Sequence, residues 1–438
     1  MRRVLLSLAF AAAIVVIGTL LTYAMSDRLR VEERVAIGIV VGVAAVSVGT
    51  FVAFELWGMG WAAIGVGAGA PGLVAAAIAR RRRGLIKRDV LKAAFRLRLP
   101  SRRHASLRPM LAVTVGCAAV TTRVLALSYQ TTDRGISAGS LAVWGDWSAH
   151  LAYAGSFAYG DNRSLDLPVA SGHPFRYHFL ADFFGSIFTV TGVTLPQSLT
   201  ISAWMLALAV PPLLWCVVVR LLRSRLTAFI ALTLFLLSGG IGLWYFAADV
   251  EQDGWSILGS LPRTYARIPD QHLWVDNTIS ASLYAQRSTL LGLCLGLAAG
   301  ILLLTSHATL ARRGFLAAGL LIGLTGIAHA HMLLTAVALA AIAFALDRRR
   351  GWLWFLVPAV VLGVPLAWSI RPQTSHVRWL LGWMAPDAHQ PWPWTGRVDW
   401  PGVTAGGVPH RGRDGRRSRA AARWTRREPR DGGRRGWS

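Results

Sequence analysis

Apolar runs of roughly twenty residues recur along this chain, and its charges collect in the short segments between them. Since about 20 apolar residues are needed for a helix to cross the hydrocarbon core of a bilayer, the pattern predicts ten spans: 4–25, 35–57, 60–79, 109–129, 197–219, 226–247, 289–307, 314–329, 331–346 and 352–370. The eighth and ninth are short, and one bent helix over 314–346 is the alternative. The fold class is therefore all-α: a polytopic membrane protein of about ten transmembrane helices, with outer-face loops bearing short interfacial helices.

Composition agrees. Of the 438 residues, 54% are hydrophobic and only 15% charged, with a mean hydropathy of +0.46; a soluble domain carries about a quarter charged residues. The net charge of +25 would suit a nucleic-acid binder if it formed one surface, but it does not. Residues 80–108 hold twelve Lys/Arg and one acid, and residues 411–438 hold eleven Arg and three acids, so two stretches supply nineteen of the excess charges. No nucleic-acid partner is expected; membrane lipid is. Basic residues favour cytosolic loops, and placing 80–108 in the cytosol also places Arg220/Arg223/Arg225, Arg312/Arg313 and Arg348/Arg349/Arg350 there. Segments 130–196 and 248–288 and the turn at 330 then face outward, against which only Arg2 and Arg3 disagree. The expected location is the inner (plasma) membrane, multi-pass.

Four regions follow: a three-span module over 1–79, a basic cytosolic linker over 80–108, a membrane domain over 109–400 and a basic low-complexity tail over 401–438. The linker alternates bases with Leu, Ala and Phe, and reads either as a plain cytosolic loop or as an amphipathic helix lying on an anionic leaflet. Cys117, Cys216 and Cys294 sit singly in apolar runs and read as small buried side chains.

Polar residues that lipid should exclude mark the candidate site. In the outer loop, Asp146 and His150 stand four residues apart, as do His178 and Asp182, spacings that on a helix share one face. A carboxylate beside an imidazole suits proton abstraction or a divalent cation, the candidate cofactor. Asp276, Asn277, Gln286 and Arg287 lead into a span, where a guanidinium is placed either to meet a phosphate or to reach the interface. His329 and His331 fall where two outer helix ends meet; His272 and His307 are weaker candidates. Asp249, Glu251, Asp253 and Asp270 read as ordinary loop charges.

The acid-bearing loop helix (GDWSAHLAYAGSFAYGDN), the following half-helix with Pro, Tyr and His (HPFRYHFLADFF) and the span ending in GIAHAH together resemble the GT-C superfamily, specifically a bacterial branch. These are multi-span glycosyltransferases that use polyprenyl-phosphate sugars. The likeness runs over roughly 109–400. It implies that Asp146, with His150 beside it, is the catalytic base on the acceptor hydroxyl or coordinates a metal that activates it. It implies direct displacement with inversion, Arg287 or a cation stabilising the departing phosphate. His178, Asp182, Asn277, Gln286, His329 and His331 would line the substrate cavity. Two departures stand out: the acidic loop follows the fourth span where the family places it after the first, and the spans stop near 370.

No HExxH, GxxxxGK[ST] or GxSxG run is present. Two other readings remain open at this point, a transporter or lipid flippase with intramembrane His and Asp, and a non-catalytic cell-envelope assembly protein. From Pro401 onward the tail lacks Leu, Ile, Phe, Tyr, Met, Lys, Asn and Gln, a mixture that out-of-frame reading of GC-rich DNA would yield; a disordered basic tail is the alternative. Translating the other frames of the gene beyond residue 395 should uncover further apolar spans, and their absence would overturn the frameshift.

Overall fold

The computed structural model describes residues 2–100, 107–133, 135–138, 141–170, 172–237, 242–259, 261–263, 265, 267–268, 273–274, 286–307 and 310–371. The tail over 401–438 lies outside the described residues. Thirteen helices appear among them: α1 (Arg2–Met25), α2 (Val31–Trp57), α3 (Trp61–Arg98), α4 (Arg108–Ser128), α5 (Leu141–Tyr159), α6 (Leu180–Ile187), α7 (Leu195–Leu222), α8 (Arg225–Leu237), α9 (Gly242–Asp253), α10 (Arg287–His307), α11 (Arg312–Ala328), α12 (Ala330–Leu346) and α13 (Gly351–Ser369). Two small antiparallel hairpins accompany them, one pairing Tyr129–Thr132 with Gly135–Ala138.

The chain is thus an all-α multi-pass membrane protein. Among the described residues, seven helices are long and apolar enough to cross a membrane: α1, α2, α3, α4, α7, α10 and α13, against about ten expected over the whole chain. Of the expected span at 226–247, the described residues form α8 and the start of α9, of 13 and 12 residues, and residues 238–241 lie outside the described residues. The expected spans at 314–329 and 331–346 are the 17-residue α11 and α12. They are not one bent helix. His329 between them is fully extended (φ −170°, ψ 91°), which ends the helical ladder, and α13 then packs parallel to α11, so α12 must run back. Gly319 faces Phe355, and Gly326 faces Gly363 and Leu366.

A second correction concerns 80–108, which is no separate linker up to residue 98. Residues 61–98 form one helix, about 57 Å long at 1.5 Å per residue, because Arg, Lys, Leu and Ala all favour helix and the stop comes only at Leu99-Pro100. Its basic half continues the same helix and is pinned by ion pairs to the neighbouring hairpin. Arg34 donates to Asp89 at 3.1 Å, Arg96 forks onto Glu32 at 2.8 Å, and Arg82 reaches Asp27 at 3.4 Å.

Small residues set the packing of the first three helices. A Cβ on Gly18 would lie 1.9 Å from the Gly38 carbonyl oxygen, one on Gly42 2.1 Å from that of Ile14, and one on Gly67 2.1 Å from the Thr50 hydroxyl. Backbones this close exclude any side chain, the usual mode of helix association where lipid removes the hydrophobic drive. The cysteines are as expected: none is bonded, and Cys216 and Cys294 are buried.

The helix ends sort the charges. Parallel packing of α7 and α10, seen where Arg287 meets Leu199 and Cys294 meets Leu206, places their C-termini at one end of the bundle. There too lie the basic half of α3, the arginines at 220–225 and 312–313, and the loop at 347–350, where His307 bonds Asp347 at 2.7 Å. Every described basic segment expected on one side is therefore at one end. Arg3 is at the other, bonding the Gly192 carbonyl at 3.4 Å.

Replacing Gly42 with Leu should force α1 and α2 apart and cost about 1–3 kcal/mol by overpacking. Thermal unfolding in detergent reads this, with Gly65→Ala, where nothing lies within 4 Å, as the substitution expected to leave the midpoint in place.

Candidate functional site

The end of the bundle away from the basic loops is organised around α6, whose eight residues are all buried. It was expected as a surface half-helix. Its Phe183 instead sits in an aromatic cluster with Phe51 and Phe54 of α2 and Phe157 of α5, at ring separations of 5.1–5.5 Å. That packing carries Asp182 into the interior at 0% exposure.

A buried carboxylate is tolerated only when paired and hydrogen-bonded, and Asp182 is both. One oxygen accepts from Arg287 Nε at 3.1 Å, and the other lies 2.9 Å from His150 Nδ1. Arg287 then donates through Nη1 to the Leu199 carbonyl at 2.8 Å and through Nη2 to Ser202 Oγ at 2.7 Å and the Ala181 carbonyl at 3.1 Å. Its guanidinium carbon stands 5.5 Å from the centre of the buried Trp147 ring. His150 and Arg287 are each 2% exposed. Four helices, α5, α6, α7 and α10, are tied by this one knot.

Three expectations change as a result. The His178–Asp182 pair does not form as such: α6 begins at Leu180, so His178 lies before the helix that carries Asp182, and Asp182 pairs across to His150. Arg287 is neither a phosphate clamp nor an interfacial cation, since its donors are spent inside the protein. His150 turns Nδ1 toward Asp182, which withdraws that nitrogen from any cation shared with Asp146. Asp146 lies on α5, one turn before His150, and its side chain lies outside the described residues, as do Asn277, His272, Asp270 and Asp276 entirely. Among the described residues no group of three or more His, Cys, Asp or Glu is arranged to hold a metal ion, so no step is assigned to one. Asp249, expected as a plain loop charge, is 4% exposed and held by Arg263 at 2.8 Å and Tyr265 at 2.6 Å.

Beside the knot lies an open cluster. The rings of His178, His329 and His331 stand 5.4–6.4 Å apart; His331 is exposed and the other two are half-buried. His329 caps α12, its Nδ1 accepting from the Met332 amide at 3.3 Å. The proton therefore sits on Nε2, which donates to Thr289 Oγ1 at 3.2 Å, and Thr289 donates in turn to Gln286 Oε1 at 2.8 Å. Burial, and then the neighbouring His329 and His331, push His178 down to about 4, so its ring is uncharged at neutral pH. The fold thus gathers His178, Gln286, His329 and His331 from three separate parts of the chain. Thr289 and Ser202 were missed, because a hydroxyl in an apolar helix more often bonds its own backbone. Trp147 was read only as an aromatic flank.

Exchanging Asp182 for Asn should cost about 3–5 kcal/mol, because it leaves Arg287 buried without its counter-charge. Replacing both together, Asp182→Leu with Arg287→Met, should recover most of that loss; unfolding midpoints of the two variants in detergent check this, and an unshifted single variant would refute the coupling. No protein-family model, no curated protein and no solved structure matches this chain.

Proposed function

We propose that this chain is an integral-membrane inverting glycosyltransferase that moves a sugar from a polyprenyl-phosphate donor to an acceptor at the end of the bundle away from the basic loops. The observation that carries this reading is the histidine cluster of His178, His329 and His331 at that end, beside the buried knot of Asp182, Arg287 and His150. A lipid-borne donor presents its phosphate at this depth, with the prenyl chain left among the apolar helix faces.

The roles divide as follows. Asp146 takes the proton of the acceptor hydroxyl as its oxygen forms a bond to the anomeric carbon. The bond from that carbon to the phosphate oxygen breaks on the opposite side, and the phosphate leaves with the electron pair. His178 and His331 donate hydrogen bonds to the phosphate oxygens, where charge grows during the step. His150, held to Asp182, fixes the helix on which Asp146 stands and so acts as a positioning residue.

Membranes carrying the full chain and supplied with polyprenyl-phosphate sugar provide the assay. Asp146→Asn should lower turnover by about 10²–10⁴-fold, the usual contribution of a general base, with the folded protein retained in amount. His178→Ala with His331→Ala should weaken donor use without moving the unfolding midpoint. Turnover unchanged in Asp146→Asn would overturn the catalytic assignment.

A further inference from the structure

The histidine end carries two cations that the roles above leave unused. Residues 176–178 bridge the ends of two helices: Arg176 Nη1 donates to the Arg371 carbonyl just past α13 at 2.7 Å, and the His178 ring stands 5.8 Å from that of His329 just past α11. Gly326 of α11 meets Leu366 and Ala367 of α13, so His329 and Arg371 each lie about one turn beyond a shared contact. Arg176 is two residues from His178, at most about 7 Å between Cα atoms.

Arg176 is half-buried, and its Nε is buried with no hydrogen-bond partner. Among the described residues neither Arg176 nor Arg371 is paired with a carboxylate. Asp161 and Asp166 of the same loop are held by Arg163 and Ser164, each at 2.6 Å, and Asp182 belongs to the knot. The Arg371 guanidinium rests 3.4 Å over the Trp368 ring. A buried cationic N–H is costly without an acceptor, and a substrate anion supplies one. The count of charges selects the anion. A sugar joined to a prenyl chain through one phosphate is a diester with a single negative charge, which uncharged imidazoles can meet by hydrogen bonds. Joined through a diphosphate it carries two, matching two arginines that have no counter-charge.

We propose that Arg176, with Arg371 beside it, forms a subsite for the second phosphate of a diphosphate-linked donor, the sugar-side phosphate lying at His178 and His331. The prenyl chain then has an apolar path down α13, where Trp368, Val364, Val361 and Val357 share one face and are each more than half exposed. This inference rests on the glycosyltransferase reading and narrows its donor.

Native mass spectrometry of the purified full chain, given farnesyl diphosphate, farnesyl phosphate or inorganic pyrophosphate, tests the subsite without turnover. The wild-type chain should retain farnesyl diphosphate about tenfold better than either of the others, the order of one charge-assisted hydrogen bond. Arg176→Gln should abolish the preference over farnesyl phosphate while leaving farnesyl phosphate itself within about twofold. Arg371→Gln keeps the carbonyl that Arg176 binds and should lower the preference by about threefold; it carries the test alone if Arg176→Gln lowers the unfolding midpoint. Arg163→Gln, in the same loop but paired with Asp161, should change neither. Equal retention of the two farnesyl esters by the wild type would overturn the proposal. So would a matching loss in Arg163→Gln, which means diffuse attraction, or pyrophosphate held as tightly as farnesyl diphosphate, which means a water-borne anion. Sugar transfer separates this result from the reading beneath it. Membranes that use only a monophosphate-linked sugar overturn the diphosphate subsite and keep the glycosyltransferase; farnesyl diphosphate retained with no transfer from either donor overturns the glycosyltransferase and leaves the subsite standing.

Discussion

A charge taken out of water inside an apolar bundle must find its counter-charge there, and the pairing of Asp182 with Arg287 meets that demand. An isolated carboxylate or guanidinium in such surroundings costs many kcal/mol, so neither side chain can be buried without the other. The pair therefore dictates where α6 and the start of α10 must lie. His150 adds α5 through the second carboxylate oxygen, and the Leu199 carbonyl and Ser202 hydroxyl add α7. Once these four helices meet, His178 and Gln286, which flank the knot in sequence, are brought next to the α11–α12 turn. The open histidine cluster is a consequence of the closed ionic knot.

The same rule operates at the other end with a different outcome. Glu32, Glu33 and Arg34 open α2 within an otherwise apolar helix, and each has a partner outside it: Arg96 and Asp89 on α3, and Arg220 on α7. Arg34, fully buried, also rests 3.8 Å over the Tyr23 ring. These pairs hold the long α3 against the first hairpin beyond its apolar half. Because arginines outnumber acids there, the end stays positive after pairing, whereas the knot at the opposite end is balanced.

Much of the architecture was legible in the chain. The runs that became α1, α2, α3, α4, α7, α10 and α13 were readable because a helix crossing lipid satisfies its own backbone and needs only length and apolarity. The count among the described residues is lower where residues 238–241 lie outside them, and where His329 breaks 314–346 into two helices of 17 residues each. The candidate-site residues were legible as an inventory, since His178, Asp182, Gln286, Arg287, His329 and His331 are conspicuous in apolar surroundings. Their pairing was not. Four-residue spacing put His178 with Asp182, and that inference fails when the helix starts between them at Leu180.

What the sequence by itself determined is the membrane class, most of the spans, the collection of bases at one end and the short roster of polar residues at the other. These depend on local composition, which lipid and water read residue by residue. Only the tertiary structure decided that Arg287 is a buried strut, that His150 serves Asp182, and that His178 comes to lie beside His329 and His331. Those outcomes depend on which helices pack together, and that is settled by contacts between residues 32 to 151 positions apart. There the need to neutralise a buried charge overrides the spacing of neighbours along the chain.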